Sequence, residues 1–536
     1  MITNISLRNY KAFKDISIDI KPITILLGAN SVGKSSVIQL LSLLKQTAVN
    51  SPLNENAPLM MYGYYANMGL INNLFHNKNT DIPIRMGVTF SSSTLSLKIT
   101  NIFTSFVERV YQLAFFLPIK SLLDWRNEPI KIGDREQFKK VVAALSSVWR
   151  KETIEKYKDN VDFALARNSL IRTEELRVNK GEDFISLYDT LDKLRKSVKE
   201  KDCTYTVEYE FSHSPCGLRI SSLGIKVGNG RLFAMDSDIV KSDFVNIGVN
   251  TSLGIRNNLH SCDNIFECMS LSSQDDNLEK TTISNYLTHV ACEILTEFRK
   301  EFSLSSINHV GPLRASPKRY YLLDQESYVL HPDFSRGESQ VQALKANKTL
   351  KSKVNKWLNN FGFSVDIEKS EDVIHHVLVN QNSLELNIMD VGFGVSQILP
   401  ILIQCFFSAE GSLTTIEQPE IHLHPQMQAQ LANLFAEVSS EKDRYFIVET
   451  HSEYMLRRLR RLIADPGYDN VSADKVAIYF FEGKDMSENR DYVSVNKLPM
   501  SSSGQFDWPE LFYKTELDDN LQFLKFQINE SVHPVD

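Results

Sequence analysis

An apolar run, Ile23 to Leu27, leads directly into Gly28-Ala-Asn30-Ser31-Val-Gly33-Lys34-Ser35, and the chain continues from Ser36 to Leu44 with helical spacing. A strand that turns through such an octapeptide into a helix has the pattern of a phosphate-binding loop. Gly28 and Gly33 let backbone N–H groups close around phosphate oxygens, with Asn30, Ser31 and Ser36 completing the cradle. Lys34 reaches the outer phosphates, and Ser35 is left to hold Mg²⁺. The feature demands an α/β fold with an ATP-type site where the strand ends.

The other half of such a site is a carboxylate at the end of a second strand, and Leu413-Thr-Thr-Ile-Glu417-Gln418-Pro-Glu420 supplies it from the far end of the chain. Asp390-Val-Gly-Phe-Gly394-Val-Ser396-Gln-Ile-Leu-Pro opens an apolar helix with small residues, a third phosphate-facing surface. Tyr445-Phe-Ile-Val-Glu-Thr450-His451-Ser452 is a strand that ends in Thr-His-Ser. This order of motifs resembles the ATP-binding-cassette (ABC) heads of the SMC, Rad50 and OLD kind. The resemblance implies an ABC-type P-loop NTPase head built from both chain ends.

In those proteins two heads sandwich two ATP molecules. Carried over, the resemblance gives Lys34 and Ser35 a role in cis and Ser396, beside Gly394, a role in trans. Glu417 orders Mg²⁺ and His451 senses the γ-phosphate. The departure is Gln418, an amide where the family carries a glutamate base. Loss of a general base costs about 10²–10⁴ in rate. Two readings stay open: ATP acts mainly as a slow dimer clamp, or Gln418 positions water while Glu420 or His451 handles the proton.

Three further segments narrow the resemblance: His309-Val-Gly-Pro-Leu-Arg314-Ala-Ser-Pro-Lys-Arg319-Tyr-Tyr, Glu417 to Pro425 with its Ile-His-Leu-His, and Gly504-Gln-Phe-Asp-Trp508-Pro. They look like AAA-type ATPases with a DUF3696 tail, a group that includes the PtuA-like ATPases of Septu-type and retron-linked antiphage systems. That resemblance implies a homodimer or higher oligomer, a separate HNH (PtuB-like) effector nuclease as partner, and a link to a retron reverse transcriptase or its msDNA. A DNA-repair ATPase that clamps DNA directly is the alternative.

The 536 residues are 42% apolar, enough to bury several cores, and 59 basic against 66 acidic residues leave a net charge of −7. No global positive field marks a nucleic-acid binder. Six cysteines without a C-x-x-C pair fit reduced thiols in a cytoplasm, and the first residues alternate like a strand rather than a secretion signal. Strands are expected at Ile5–Asn9, Ile16–Ile20, Thr24–Leu27, Ile84–Phe90, Leu95–Ile99 and Lys475–Phe481, and long helices at Leu278–Phe302 and Gln342–Phe361. The expected division is a first head lobe over 1–100, a compact helical insert over 101–202 and a β/α insert over 203–305. The second head lobe follows over 306–464, with a tail over 465–536.

Arg457, Arg458, Arg460 and Arg461 form a basic cluster after His451, read either as a contact for DNA, msDNA or an acidic partner, or as an exposed helix face. The lysines at 345, 348, 351, 353 and 356 carry the same two readings. His422 and His424 lack a third ligand at metal spacing, so an interface or supporting role is expected. Arg314, Arg319 and Arg336 are candidates for reaching phosphate or coupling the insert to the head, or else for structural pairing. Glu482-Gly483 is followed by no Asp-x-Asp, and Asp518-Asp519 has the wrong spacing, so no intrinsic nuclease is expected.

Overall fold

The computed structural model describes residues 1–50, 57–115, 132–147, 151–159, 181–199, 203–215, 217–228, 230–236, 241–243, 264–266, 282–323, 334–381, 384–483, 492–509 and 521–524. Cys216, Cys262, Cys268 and Asp518-Asp519 lie outside them. The chain divides into two units: residues 1–6, 47–60 and 79–301 form one, and residues 7–46, 61–78 and 302–536 the other. The sequence boundary at 100/101 falls inside the helix Ser93–Phe115.

In the first unit, strands Ile84–Ser91, Thr204–Ser214, Gly217–Val227, Gly230–Asp236 and Lys241–Asp243 pair antiparallel in that order. Helices Ser93–Phe115, Arg135–Ser147, Gly181–Ser197 and Thr282–Lys300 accompany them. Rings from all four helices pack together. Phe138 stacks on Tyr188 at 4.4 Å, and Phe106 meets Tyr286 edge-on at 5.2 Å; such pairs add about 0.5–1.5 kcal/mol beyond their buried area.

Leu95–Ile99 is helix, not the expected strand. Alternation would have buried Leu95, Leu97 and Ile99 together, but Leu97 is 66% exposed while Leu95 and Ile99 are fully buried. The four-residue spacing continues through Phe103, Phe106, Val107 and Val110, all buried, so the longer helical period wins over a short alternating stretch.

The second unit is built on a six-stranded sheet in the order Ser494–Leu498, Val476–Glu482, Ile23–Gly28, Tyr445–Glu449, Leu413–Glu417, Ile307–Val310. The last five are parallel and Ser494–Leu498 is an antiparallel edge. Every residue of Ile23–Gly28 is buried, the continuous apolar run expected of a parallel strand covered on both faces. Helices Lys34–Asn50, Phe393–Phe407, Pro425–Lys442 and Glu453–Ala464 follow strands or loops of this unit. Because the strands are parallel, Gly28, Glu417 and Glu449 reach the same carboxyl edge, where α/β sheets place their ligands.

A small antiparallel sheet of Tyr321–Leu322, Ile374–Gln381, Phe363–Lys369 and Leu384–Asn387 completes the unit. The helix expected over Gln342–Phe361 is two, Gly337–Ala346 and Lys348–Leu358. Asn347 breaks it by turning extended and accepting a hydrogen bond from the Leu350 N–H at 2.9 Å. Its lysines are largely spoken for: Lys345 meets His375 Nε2 at 2.8 Å, Lys351 pairs with Asp366, and Lys353 pairs with Glu441 at 2.7 Å.

The Gly-Gln-Phe-Asp-Trp segment docks on the helix Glu453–Ala464. Arg460 Nε donates to the Gly504 carbonyl at 2.9 Å, and its guanidinium lies over Phe506 and Trp508 at 5.4 and 5.6 Å. Gly504 has φ +71°, and a Cβ there would sit 2.3 Å from the Arg460 carbonyl oxygen, so only glycine fits. Arg457 pairs with Glu453 one turn earlier. Two of the four clustered arginines are therefore engaged within the chain.

Candidate functional site: a phosphate loop and two carboxylates

The strand Ile23–Gly28 delivers the loop, and glycine is required at its first residue. Gly28 has φ +141°, and a Cβ would fall 2.4 Å from the Phe481 carbonyl oxygen on the neighbouring strand. Gly33, at φ +99°, has Ala12 and Phe13 side chains 3.1 Å from where a Cβ would be. Between them Ser31 also takes a left-handed φ of 63°. The resulting curl faces the amino end of Lys34–Asn50, where unpaired N–H groups and the helix dipole favour an anion.

Lys34 is buried, and its ammonium is held by the loop itself, donating to the Gly28 carbonyl at 3.0 Å and the Ala29 carbonyl at 2.6 Å. Burial holds its pKa below the usual lysine value, against the opposing pull of Glu449. The Ser35 hydroxyl donates to Glu449 Oε2 at 2.8 Å, and Lys34 Nζ lies 3.7 Å from Glu449 Oε1. Sequence reasoning missed Glu449. It read Glu449-Thr-His-Ser as a strand end marked by the histidine, whereas the parallel register sets Glu449 directly beside Glu417.

Glu417 is pushed up to about 7, mainly by burial and then by the Glu449 charge, with a Ser35 hydrogen bond opposing. His309 Nε2 stands 3.5 Å from Glu417 Oε1, and His309 Nδ1 meets Thr415 Oγ1 at 2.9 Å. Burial, and then Lys45, hold His309 down at about 4. At neutral pH the imidazole is therefore uncharged, and its contact with Glu417 is no ion pair.

Gln418 takes φ 44°, a left-handed conformation that costs a non-glycine residue about 1–2 kcal/mol. Its N–H donates to the Glu449 carbonyl at 2.7 Å, and Arg314 Nη2 donates to the carbonyls of Glu417 and Gln418, each at 3.1 Å. Glu420 has both oxygens committed, Oε2 to the Thr450 hydroxyl at 2.8 Å and Oε1 to the His451 N–H at 2.7 Å. It thereby fixes the backbone that carries His451. The His451 side chain keeps more than a third of its surface exposed, and the burial of the rest, followed by Lys34, lowers its pKa.

The helix Phe393–Phe407 begins at an exposed Gly392 cap, with Gly394 partly buried and Ser396 only 6% exposed in the single chain. Pro400 lies inside that helix and offers no N–H to the Ser396 carbonyl, so the first turn is less tied than an ordinary one. Arg319 forks onto Asp390 at 2.8 and 3.1 Å just before it. Arg336 stacks over Tyr64 at 5.5 Å. His424 caps the helix Pro425–Lys442, accepting from the Gln426 N–H at 3.3 Å, and His422 is exposed. Among the described residues no group of three or more His, Cys, Asp or Glu is placed to hold a metal by itself.

The donor set suits Mg²⁺ all the same. One hydroxyl and two in-register carboxylates form a hard oxygen set, and Mg²⁺ is usually held by a few such groups together with waters and phosphate oxygens. Glu449→Gln is expected to weaken Mg²⁺-supported ATP binding by roughly 10- to 150-fold, the roughly 1.5–3 kcal/mol of a charge-assisted bond. Calorimetric titration with and without Mg²⁺ checks it, and an unaltered Mg²⁺ dependence would exclude Glu449 from the site.

A parallel sheet with a phosphate loop on a central strand and a carboxylate on the next-but-one strand defines an α/β P-loop ATPase. The chain belongs to the AAA ATPase domain family, whose model matches residues 1–456. Among solved structures it is similar to an Smc head bound to the C-winged helix domain of ScpA, at 10% identity over 94% of this chain and 98% of that one, with a TM-score of 0.38. It is similar also to the SMC head domain from Thermotoga maritima, at 9% identity, 93% and 99% coverage and a TM-score of 0.35. A Pyrococcus furiosus Smc head with an extended coiled coil, bound to the C-terminal domain of ScpA, gives 10%, 97%, 99% and 0.34. Comparison with curated proteins found no match. Among the described residues no helix is long and apolar enough to cross a membrane.

Proposed function

We propose that this chain is a slow regulatory ATPase that binds Mg²⁺-ATP on the Gly28–Ser35 loop, pairs with a second copy around the nucleotide, and holds a separate HNH-type effector nuclease under control in cytoplasmic antiviral defence. The observation that carries the nucleotide part is the convergence of Lys34 and Ser35 on Glu449, with Glu417 in register beside it. The defence role, the nuclease and a retron reverse transcriptase or msDNA as further partners are supported by the motif resemblance of the 309–321, 417–425 and 504–509 segments.

Ser35, Glu417 and Glu449 would hold Mg²⁺, which when bound offsets phosphate charge as a Lewis acid. Lys34 adds a fixed positive charge at the outer phosphates. Gln418 orients water through its amide but takes no proton at neutral pH. The double engagement of Glu420 suits a positioning role better than a base, which favours the slow clamp. Gly394 and Ser396 would face the nucleotide of the second copy, and pairing has to uncover Ser396. With Arg457 and Arg460 used inside the chain, the basic cluster offers less to DNA than its sequence suggests, so the clamp on DNA stays second.

Co-expression of the chain with an HNH protein encoded beside it is expected to yield a complex that survives size-exclusion chromatography in ATP and keeps the nuclease silent. A chain that never retains such a protein, with or without nucleotide, would remove the effector part of the reading.

A further inference from the structure

Arg314 follows the strand Ile307–Val310 and brings a guanidinium under the end of Leu413–Glu417. Among the described residues only Nη2 is used, and the buried Nε and Nη1 have no hydrogen-bond partner. Burial lowers its pKa to about 10, with Glu420 opposing, so it stays charged at neutral pH. A buried guanidinium with two unanswered donors is costly, and an apolar side chain would fill that space more cheaply.

What Nη2 touches is a strained turn of the site. The Glu417 and Gln418 carbonyls are turned toward the same nitrogen, each at 3.1 Å, while Gln418 is held at φ 44°. Its backbone N–H donates to the Glu449 carbonyl, leaving the side-chain amide outside this bond. A left-handed glutamine persists only where its surroundings over-determine it. Here two anchors do so, one on the strand Tyr445–Glu449 and one from Arg314.

We propose that Arg314 is a positioning residue for hydrolysis: by clamping the Glu417 and Gln418 carbonyls it sets the left-handed turn that aims the Gln418 amide at the attacking water, without itself contributing to ATP affinity. The inference rests on the ATPase reading above and deepens it. In the reaction it serves, the water oxygen bonds to the γ-phosphorus, the bond to the bridging oxygen breaks toward ADP, and the water's proton leaves to solvent or phosphate. Arg314 touches none of these atoms.

Arg314→Met removes the donors and keeps an unbranched side chain of similar reach, and Arg314→Lys restores one ammonium able to donate to both carbonyls. In the full-length chain, Arg314→Met is expected to keep its melting temperature and bind ATP within about threefold of wild type. Its kcat should fall about 10²-fold, the cost of a catalytic group displaced by an ångström. Arg314→Lys should recover most of that rate, and hydrogen exchange at the Gln418 amide should quicken only in Arg314→Met. The proposal is overturned if Arg314→Met keeps its kcat, if it loses ATP affinity about tenfold or more, which would make the guanidinium a phosphate ligand, or if Arg314→Lys is as slow as the methionine variant. Failure of wild type itself to bind ATP would instead count against the ATPase reading.

Discussion

Lys34→Ala is expected to lower ATP affinity by about 2–5 kcal/mol, roughly 30- to 5,000-fold, the range for truncating one partner of a buried charge pair. The ammonium already lies in the loop's grip, 3.0 and 2.6 Å from the Gly28 and Ala29 carbonyls. A phosphate has only to draw it a short way outward. Its removal also leaves the buried Glu449 without the neighbouring positive charge at 3.7 Å, so the loop should bind anions less well even where its N–H groups are intact. The sheet does not depend on this side chain, and circular dichroism should be unchanged. Equilibrium binding of a fluorescent ATP analogue checks the loss, and wild-type affinity in the variant would mean that phosphate is held elsewhere.

Gln418→Glu is expected to raise turnover by about 10²–10⁴, the contribution of a positioned general base. The two side chains have the same shape, and the backbone is fixed independently of them by the Glu449 carbonyl and Arg314, so the new carboxylate should take the place of the amide without rearrangement. Faster hydrolysis shortens the life of an ATP-held pair, and control over an effector should weaken in proportion. Phosphate release from the two proteins, measured side by side at saturating Mg²⁺-ATP, decides it. A variant no faster than wild type would place the base at Glu420, at His451 or on a partner, and would end the slow-clamp reading.

The loop and its flanking elements were legible because they are local. Ile23–Gly28 is apolar but for Thr24 and buried throughout, the loop's glycines stand where a side chain has no room, and Lys34–Asn50 follows without a breaker. The acidic strand and the Thr-His-Ser strand were legible for the same reason. Glu449 was not, because its importance comes from register: it lies beside Glu417 only after two strands from separate parts of the chain pair in parallel. The one signal available was that both strands end in glutamate. Arg314 was visible as a charge in a Pro-Leu-Arg segment, but its target is a pair of backbone carbonyls, which no side-chain pattern announces. The arginine and lysine clusters left two readings open in the sequence, because the partners of Arg460, Lys351 and Lys353 meet them only in the folded chain.

The most direct test counts nucleotide and product in one sample. Full-length protein equilibrated with radiolabelled Mg²⁺-ATP should retain close to one ATP per chain, release phosphate slowly on the timescale of that binding, and lose the bound nucleotide when Mg²⁺ is chelated. A chain that retains no nucleotide, or that hydrolyses it rapidly with Gln418 in place, would contradict the account.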